Sequence, residues 1–440
     1  MFRVNTNSVR SLGFMGVIFV LGYVVALSTR EPASQVDAAG SLPLAAADDD
    51  SSKQSAASTS SDQAAAVHGA EVGVMNPRAM YYPGTEELQP DEMRIIACGT
   101  GMPVSRRSQA ATCWLVELGN GDKFLFDIGT GSAANIGSLN IPYDFLDKLF
   151  ITHLHSDHVG DLDALWIGGW TGGRHGAVHI WGPSGAKPEL GTKNFVEKLR
   201  EAYIWDYTGR LGVIPSGGGD LDVHEFDYTQ ENKIVYQENG VIIRSWPAIH
   251  AIDGCVSYRL EWNGLSFVFG GDTLPNKWFT QYAKGADFVI HECFMTPPQL
   301  MEKYGFSAQA ALNVGTGVHT VPAAFGKVMS EVRPRMAVAY HFFNDFDTRF
   351  PIYQGIRSTY DGPLAMATDL LVWNVTKDEI RMRQAIVDEE AWPARSPTPP
   401  GAPDASAKTD FSKEILKGLL DVSDVLDPLI KKFKKDNNLK

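Results

Sequence analysis

The hydrophobic pattern of this 440-residue chain changes at residue 93, where β-branched and aromatic runs begin to alternate with amphipathic stretches. Asn-Gly pairs at 120–121 and 263–264 separate neighbouring apolar runs, which is typical of hairpins. The pattern predicts strands over 93–98, 112–118, 123–127, 148–152, 177–181, 241–246, 255–261, 265–270, 287–291, 336–340 and 369–374. It predicts helices over 131–138, 160–168, 189–204, 276–284, 308–316, 321–332 and 351–359. This mixture, over about 300 residues, indicates one α/β (α+β) domain with helices outside its sheets.

The N-terminal part of the chain does not follow this pattern. Arg3 and Arg10 precede the apolar run LGFMGVIFVLGYVVAL, an arrangement typical of a signal peptide. The run lies within 11–28 and is also nearly long enough to anchor the chain in a membrane. Either interpretation of residues 1–30 predicts export, to the periplasm or to the periplasmic face of the inner membrane. Residues 31–90, rich in Ala, Ser and Asp, predict a disordered linker.

The C-terminal part contains two further segments. Residues 393–408 are Pro-rich and predict a linker. Between 409 and 440, hydrophobic residues recur at intervals of three and four, which predicts an amphipathic helix bent by Pro428. This helix either packs against its own domain or binds a membrane surface or a partner, and both interpretations stay open. The folded domain is therefore expected over 91–392.

Composition and charge narrow the possible partners. The net charge of −13 argues against nucleic acid, because surfaces that bind nucleic acid are normally basic. The four cysteines have no C-x-x-C spacing, which excludes a zinc ribbon and a dense disulfide scaffold. Cys98 and Cys113 flank a Gly-rich turn, and burial as small hydrophobic side chains is the favoured interpretation of this pair. The oligomeric state stays open, with a dimer as one option.

The segment FITHLHSDHVGDLDAL, residues 150–165, concentrates polar groups directly after an apolar strand. His153 and His155 are two residues apart, so their rings project to one face. Asp157 and His158 follow where the chain turns. Imidazole and carboxylate groups are ligands of divalent metals such as zinc. Four such ligands within six residues suit two adjacent ions, and this spacing is far more specific than a lone histidine.

Three further metal-capable side chains follow predicted strands elsewhere in the chain. His250 lies in SWPAIHAIDG, Asp272 in the Gly-rich turn of FVFGGDTLP, and His341 in MAVAYHFFND. Loops at strand ends commonly carry functional side chains on a rigid scaffold. The sequence therefore supplies the distant ligands that two ions require.

The motif T-H-L-H-S-D-H-V-G-D resembles the signature of the metallo-β-lactamase superfamily, and the similarity extends from about 93 to 387. CGTGMP and FLFDIGTG, followed by GGDT, VIHECF, VHT and YHFF, resemble the branch that contains the tRNA-processing endonuclease RNase Z and zinc-dependent arylsulfatases. WGPSGAKPELGTK and WDYTGRLGVIP are similar to hydrolases of guanitoxin biosynthetic clusters. The resemblance implies a single catalytic domain with a four-layer αββα sandwich and with metal ions between the edges of its two sheets.

The resemblance also implies how the ligands are divided. One ion would be held by His153, His155 and His250, and the other by Asp157, His158 and His341, with Asp272 bridging the two. Glu292 and His319 match positions that form a proton-donating pair in the RNase Z branch. The chain departs from the usual pattern in having HECF for HEAT and AYHFF for LTHFS, which changes the surroundings of the leaving group.

Elementary chemistry agrees with a hydrolase. Two zinc ions per chain, about 3.5–4 Å apart, would lower the pKa of a shared water towards roughly 7. A leaving oxygen then needs a general acid, and His319 held by Glu292 is the candidate. A second interpretation makes Glu292 a buried residue that orients a ligand. With Asp157, these two residues form the predicted catalytic set.

The remaining histidines are expected to be structural or ordinary. His291 should point away from Glu292, because successive side chains alternate along a strand. His175, His179 and His224 have no partners that the sequence reveals.

The predicted substrate pocket depends on the segment EAYIWDYTGRLG. Tyr203, Trp205 and Arg210 are predicted to form an aromatic wall with one cation, although core packing is equally favoured for Trp205. Such a pocket favours a small ester, above all an aryl sulfate. The alternatives are a phosphodiesterase of the RNase Z type acting on small phosphodiesters, and a lactonase or β-lactamase. A membrane-anchored binding protein is the non-enzyme alternative, and the complete ligand set counts against it.

Overall fold

The structure is a computed structural model, and it describes residues 79–439. The strands in this range are β1 (Met80–Tyr81), β2 (Met93–Gly99), β3 (Cys113–Leu118), β4 (Lys123–Phe126), β5 (Lys148–Phe150), β6 (Val178–Pro183), β7 (Leu221–Phe226), β8 (Lys233–Glu238), β9 (Val241–Pro247), β10 (Val256–Trp262), β11 (Leu265–Phe269), β12 (Phe288–Glu292), β13 (Met336–Tyr340), β14 (Leu364–Met366), β15 (Leu371–Val375) and β16 (Ile380–Ala385). The helices are α1 (Ser132–Gly137), α2 (Ser156–Val159), α3 (Gly169–Thr171), α4 (Thr192–Ala202), α5 (Ile204–Arg210), α6 (Lys277–Tyr282), α7 (Pro297–Tyr304), α8 (Ala308–Gly317), α9 (Pro322–Val332), α10 (Phe346–Arg357), α11 (Lys413–Leu416) and α12 (Ser423–Asp436).

The strands form two sheets that pack face to face. The first has nine strands in the order β1-β16-β15-β2-β3-β4-β5-β6-β7, and the second has seven in the order β14-β13-β12-β11-β10-β9-β8. In β4, Phe124 and Phe126 point to the cluster between the sheets, whereas Leu125 points to the cluster under the helices. This alternation gives each sheet two apolar faces, which are covered by the other sheet and by helices. The predicted four-layer αββα sandwich is confirmed.

Four of the five strands that the pattern does not predict are edge strands. These are β1 and β7 at the ends of the first sheet and β14 and β8 at the ends of the second, and the fifth is β16. An edge strand is covered less completely than a central one, so its side chains are more polar and its hydrophobic signal is weaker. In β7, for example, Leu221 is buried but Asp222 and Glu225 are exposed. Helices α2, α5 and α7 also arise where the pattern predicts no separate helix.

Part of the segment 31–90, predicted as a linker, forms a strand of the first sheet. Met80 and Tyr81 pair in parallel with β16, and Tyr81 is buried. The Arg94 guanidinium donates to the Tyr81 hydroxyl at 2.9 Å, which ties this strand to β2. Residues 79–90 therefore belong to the folded unit. The signal peptide or anchor predicted over 1–30 lies outside the described residues.

The C-terminal segment forms two helices instead of the single predicted one. In α11 and α12 no side chain is buried, and Pro428 lies inside α12 without ending it. Apolar side chains such as Leu419 and Phe433 are exposed, so the structure does not show the segment packed against its own domain. Within residues 79–439, no helix has the combined length and hydrophobicity that a membrane crossing requires.

Candidate metal centre

The metal loop, residues 152–160, leaves the sheet where β5 ends. His155 keeps an extended backbone and caps α2, so the chain turns sharply and Asp157 falls in the first turn of that helix. His153, Asp157 and His158 are buried, whereas His155 is exposed. The turn therefore directs three of the four potential ligands into the protein and leaves His155 on the side that is open to solvent.

The first group of ligands consists of His153, His155, His250 and Asp272. His155 Nδ1 lies 3.1 Å from His153 Nε2 and 3.1 Å from His250 Nε2. His250 Nε2 is 3.7 Å from Asp272 Oδ2. One ligand atom from each residue lies within 4.8 Å of the others, so all four can reach a common point.

The second group consists of Asp157, His158, His341 and again Asp272. His341 Nε2 lies 3.0 Å from Asp157 Oδ2 and 3.2 Å from Asp272 Oδ2. His158 Nε2 lies 3.4 Å from Asp272 Oδ1. His341 has a φ of 73°, a strained conformation that costs about 1–3 kcal/mol. Asp272 therefore belongs to both groups, as the bridging assignment implies.

The donor chemistry of these groups fits metal ions. The Nδ1 atoms of His250 and His158 face the Val318 carbonyl and the Asp127 carboxylate, so each Nδ1 carries a proton and Nε2 is the nitrogen that faces the cluster. His158 Nε2 and Asp272 Oδ2 are buried without a hydrogen-bond partner. Around a tetrahedral ion with bonds of about 2.0–2.1 Å, neighbouring ligand atoms lie about 3.3 Å apart, close to the spacings found here. The cluster is therefore suited to cations.

Burial keeps two of these histidines neutral, which is the form that binds metal. Burial lowers the pKa of His250 to about 4 and holds the pKa of His153 well below its ordinary value. For Asp272, burial alone would raise the pKa, but the adjacent His341 and His158 hold it well below the ordinary value. These three ligands thus occupy the charge states that coordination requires. Burial alone would lower the pKa of His158, but the neighbouring carboxylates, Asp272 first, hold it well above its ordinary value, so an ion has to displace the proton on its Nε2.

Asp127 supports the metal loop and is absent from the predicted site residues. Its Oδ2 accepts hydrogen bonds from His158 Nδ1 at 2.6 Å and from the Thr152 hydroxyl at 2.7 Å, and its Oδ1 accepts from the Thr152 amide at 2.7 Å. Such a partner fixes the tautomer and orientation of a metal-binding histidine. The motif FLFDIGTG contains this residue, so a carboxylate at the end of a buried strand is the signal that could have identified it.

Asp369 is a second supporting residue that the sequence does not reveal. Its carboxylate accepts from the Thr100 amide at 3.0 Å, the Thr100 hydroxyl at 2.8 Å and the Ala110 amide at 2.6 Å. The Thr100 carbonyl in turn accepts from the His341 amide at 3.1 Å. Burial raises the pKa of Asp369 to about 6. Asp369 therefore holds the β2–β3 connection that positions the strained His341 backbone.

Glu292 and His319 form a hydrogen-bonded pair beside the metal ligands. His319 Nδ1 lies 2.7 Å from Glu292 Oε2, and Glu292 Oε1 accepts from the Thr273 amide at 2.7 Å. Glu292 is fully buried, and the His319 side chain is 12% exposed. Burial lowers the pKa of His319, and burial followed by the field of Asp272 raises the pKa of Glu292. With Nδ1 bound to the carboxylate, Nε2 is the nitrogen left to exchange a proton with a substrate.

The departure HECF has a structural consequence at this pair. The Phe294 ring stacks on His319 with a centroid distance of 4.0 Å and an angle of 14°. The same ring lies 5.7 Å from the His341 ring. Phe294 therefore holds the His319 imidazole in one plane beside the second ligand group. His291 points to the other side of β12 and packs against Phe279, as alternation along the strand predicts.

The three predicted substrate residues do not form the expected pocket wall. Trp205 is 85% exposed. The Arg210 guanidinium pairs with Asp206 at 2.9 Å, four residues earlier on α5, and the Tyr203 hydroxyl donates to Asp163. The helical period turns Tyr203 and Tyr207 towards the Trp166 ring, and so turns Trp205 outward. The prediction of an aromatic anion pocket from this segment is therefore not supported by the geometry.

Comparison with known proteins identifies relatives over the same region. A family described as Anti-Pycsar protein Apyc1 matches residues 93–303. The chain is 28% identical to Ribonuclease Z of Mycobacterium marinum over 203 residues, which cover 45% of this chain and 70% of that protein. It is 28% identical to Ribonuclease Z of Mycobacterium sp. (strain KMS) over 270 residues, which cover 56% and 91%.

Among solved structures, the chain is similar to the metallo-β-lactamase fold protein YhfI from Bacillus subtilis. The TM-score is 0.49 at 17% sequence identity, with 65% of this chain and 100% of that chain covered. The match to the Anti-Pycsar protein Apyc1 family, over 93–303, includes the metal loop, His250, Asp272 and Glu292. It ends before His319 and His341.

Proposed function

Because the chain belongs to the metallo-β-lactamase superfamily, in its RNase Z-like branch, and is a metal-dependent hydrolase, we propose that it cleaves small phosphodiesters with the help of two zinc ions. The seven ligands, which we call the metal centre, are His153, His155, Asp157, His158, His250, Asp272 and His341. When bound there, the ions supply a hydroxide at neutral pH and accept negative charge that develops on the ester. The remaining steps depend on side chains of this chain.

The observation that carries this proposal is the buried pair of Glu292 and His319. The imidazole ring lies 5.0 Å from the His250 ring and 5.3 Å from the His341 ring, so it borders both ligand groups. Glu292 accepts the Nδ1 proton and so supports the imidazolium form of His319, whose Nε2 would deliver its proton to the leaving oxygen and return to the neutral imidazole. Phe294 holds the ring in place for this transfer.

A built proton donor favours an alkyl ester over an aryl ester. A phenolate leaves without assistance because phenols have a pKa near 10, whereas an alkoxide has to be protonated as it departs. The phosphodiesters of nucleotides have alkoxide leaving groups, and aryl sulfates do not. The aryl sulfate preference also rested on a pocket wall of Tyr203, Trp205 and Arg210, and Arg210 is already paired with Asp206. Alkyl phosphodiesters are therefore the favoured substrate class.

Charge favours a small substrate over a polymer. The net charge is −13, and residues 200–233 contain three Lys or Arg and seven Asp or Glu. Binding of an RNA chain depends on basic groups that neutralise many phosphates. The names of the relatives point to RNA, so this choice separates the chain from them and has to be tested. Export through residues 1–30 is part of the same proposal, and fractionation of cells that express the full chain tests it.

The test is a substrate panel on the full chain loaded with zinc. It contains a dinucleotide and a nucleoside 3′,5′-cyclic monophosphate as alkyl phosphodiesters, bis-nitrophenyl phosphate, nitrophenyl sulfate, a precursor tRNA, a lactone and a cephalosporin. We expect the highest kcat/KM for an alkyl phosphodiester. Efficient cleavage of nitrophenyl sulfate without cleavage of any phosphodiester would restore the arylsulfatase hypothesis. Preference for precursor tRNA over the small phosphodiesters would contradict the proposed substrate size.

A further inference from the structure

A second group of potential ligands lies on the edge of the first sheet. β6 and β7 pair in parallel with His179 opposite Asp222 and Trp181 opposite His224. His179, Asp222 and His224 therefore project from the same face of two neighbouring strands. We call these three residues the edge site.

The ligand atoms of the edge site have the spacing of a coordination sphere. Asp222 Oδ2 lies 3.2 Å from His179 Nδ1 and 3.4 Å from His224 Nε2. All three atoms lie within 4.8 Å of one another. In a tetrahedral zinc site, neighbouring ligand atoms are about 3.3 Å apart. Small rotations of the exposed side chains are therefore enough to direct all three ligand atoms at one ion.

One ligand of the edge site is held in position by aromatic stacking. The His224 ring stacks on Trp181 with a centroid distance of 4.5 Å and an angle of 13°, and Trp181 stacks on Phe150 at 4.8 Å and 7°. His224 Nε2 is shielded from solvent and makes no hydrogen bond. This nitrogen faces Asp222 Oδ2 at 3.4 Å without hydrogen-bond geometry, and the stacking of its ring distinguishes the cluster from an ordinary surface ion pair.

The edge site is separate from the metal centre. His179 is the second residue of β6 and Asp222 the second residue of β7, so the edge site lies at the amino ends of these strands. The metal loop follows the carboxyl end of β5, which runs parallel to β6. Lys148, opposite His179 on β5, directs its ammonium group to Asp147 at 3.0 Å. The Lys148 ammonium group is thus already paired with Asp147 and does not neutralise Asp222.

We propose that His179, Asp222 and His224 bind a divalent transition metal of the zinc class. Two imidazoles and one carboxylate supply three ligands, and a water completes the sphere on the exposed side, where the Asp222 side chain is 54% exposed. The ion ties the edge strand β7 to β6 and thereby closes the open end of the sheet. Metal binding to the native state alone stabilises the fold by mass action.

Zinc stoichiometry of the full chain tests this proposal. After equilibrium dialysis against buffered free zinc, the wild-type chain should hold one zinc equivalent more than Asp222→Asn or His179→Ala. His175→Ala is the matched control, since His175 faces a single carboxylate, Asp144, at 3.3 Å, and should keep the wild-type count. Added zinc should also raise the Tm of the wild-type chain more than that of Asp222→Asn.

Equal zinc counts in the wild-type chain and in a folded Asp222→Asn variant would overturn the proposal and leave an ordinary ion pair. Asp222 is exposed, so this variant is expected to fold, and its circular dichroism spectrum checks that it does. Turnover of an alkyl phosphodiester should be the same in Asp222→Asn and wild type. The count therefore tests the edge site, whereas turnover tests the proposed function, and either can fail alone.

Discussion

In the metal centre, the His158 side chain is fully buried, and its Nδ1 lies 2.6 Å from Asp127 Oδ2, which fixes the ring. In the edge site, on strand β7 of the same sheet, the His224 side chain is 40% exposed and stacks on Trp181. Both regions use imidazole and carboxylate ligands. The metal centre adds hydrogen-bonded partners behind its ligands, whereas the edge site relies on one aromatic contact.

This difference indicates different roles. Ligands that are buried and oriented from behind lose little entropy on binding an ion and hold it in a fixed geometry, which chemistry requires. An exposed ligand such as Asp222 is less constrained and binds an ion more weakly, which is sufficient for a structural clamp. Paired variants in the two regions test this difference.

The largest effect is expected from removing the shared ligand. Asp272→Ala should lower kcat/KM for a phosphodiester by more than about 10³-fold, because one carboxylate serves both ligand groups. Steady-state kinetics and zinc analysis of the same samples measure this effect. Asp222→Ala is the control in the edge site and should retain turnover. Full activity in a zinc-depleted Asp272→Ala would disprove the bridging role.

His319→Ala should separate substrates by leaving group. The expected loss is about 10²–10⁴-fold for an alkyl phosphodiester and less than about 10-fold for a nitrophenyl ester, because only the alkoxide needs the proton. The comparison of kcat for the two substrates is the measurement. Equal losses would mean that His319 positions the substrate or the fold and does not act as the acid.

The buried His291, which is not a metal ligand, is expected to make the free energy of unfolding depend on pH. Burial lowers its pKa to about 4, against about 6.5 in an unfolded chain, so the unfolded state takes up the proton first as the pH falls. Its contribution to stability is complete above pH 6.5 and is lost towards pH 4, by about 3 kcal/mol. His291→Leu should flatten the pH dependence of the free energy of unfolding in this window. An unchanged slope in denaturant titrations at fixed free zinc would contradict this.

The smallest effect is expected from the residue behind a ligand. Asp127→Ala should weaken zinc binding at the metal centre by about 10–100-fold, since His158 loses the partner that orients it. Competition with a chelator measures the affinity. Trp181→Leu is the counterpart in the edge site and should leave this affinity unchanged. If Asp127→Ala binds zinc as tightly as the wild-type chain, burial alone orients His158.

Much of the metal centre follows from the sequence because its signal is local. His153, His155, Asp157 and His158 lie within six residues, and a turn after a strand is enough to bring them together. His250, Asp272 and His341 each follow an apolar run that the pattern predicts as a strand. The central strands could be predicted for the same reason, since both of their faces are apolar. The edge strands, with polar side chains such as Asp222, give no comparable signal.

The supporting and peripheral residues depended on contacts that the sequence does not encode locally. Asp369 reaches Thr100 across 269 positions of the chain. The geometry does not support the wall predicted from Tyr203, Trp205 and Arg210, because packing on Trp166 decides which face of α5 is buried.

The sequence by itself determined the superfamily, the sandwich and the candidate metal ligands, because hydrophobic period and ligand spacing are properties of short segments. Only the tertiary structure decided that Asp127 fixes His158, that Phe294 stacks on His319, and that Arg210 is paired. It alone brought His179 to Asp222, 43 residues away, since the register of two parallel strands is set by the packing of the whole sheet.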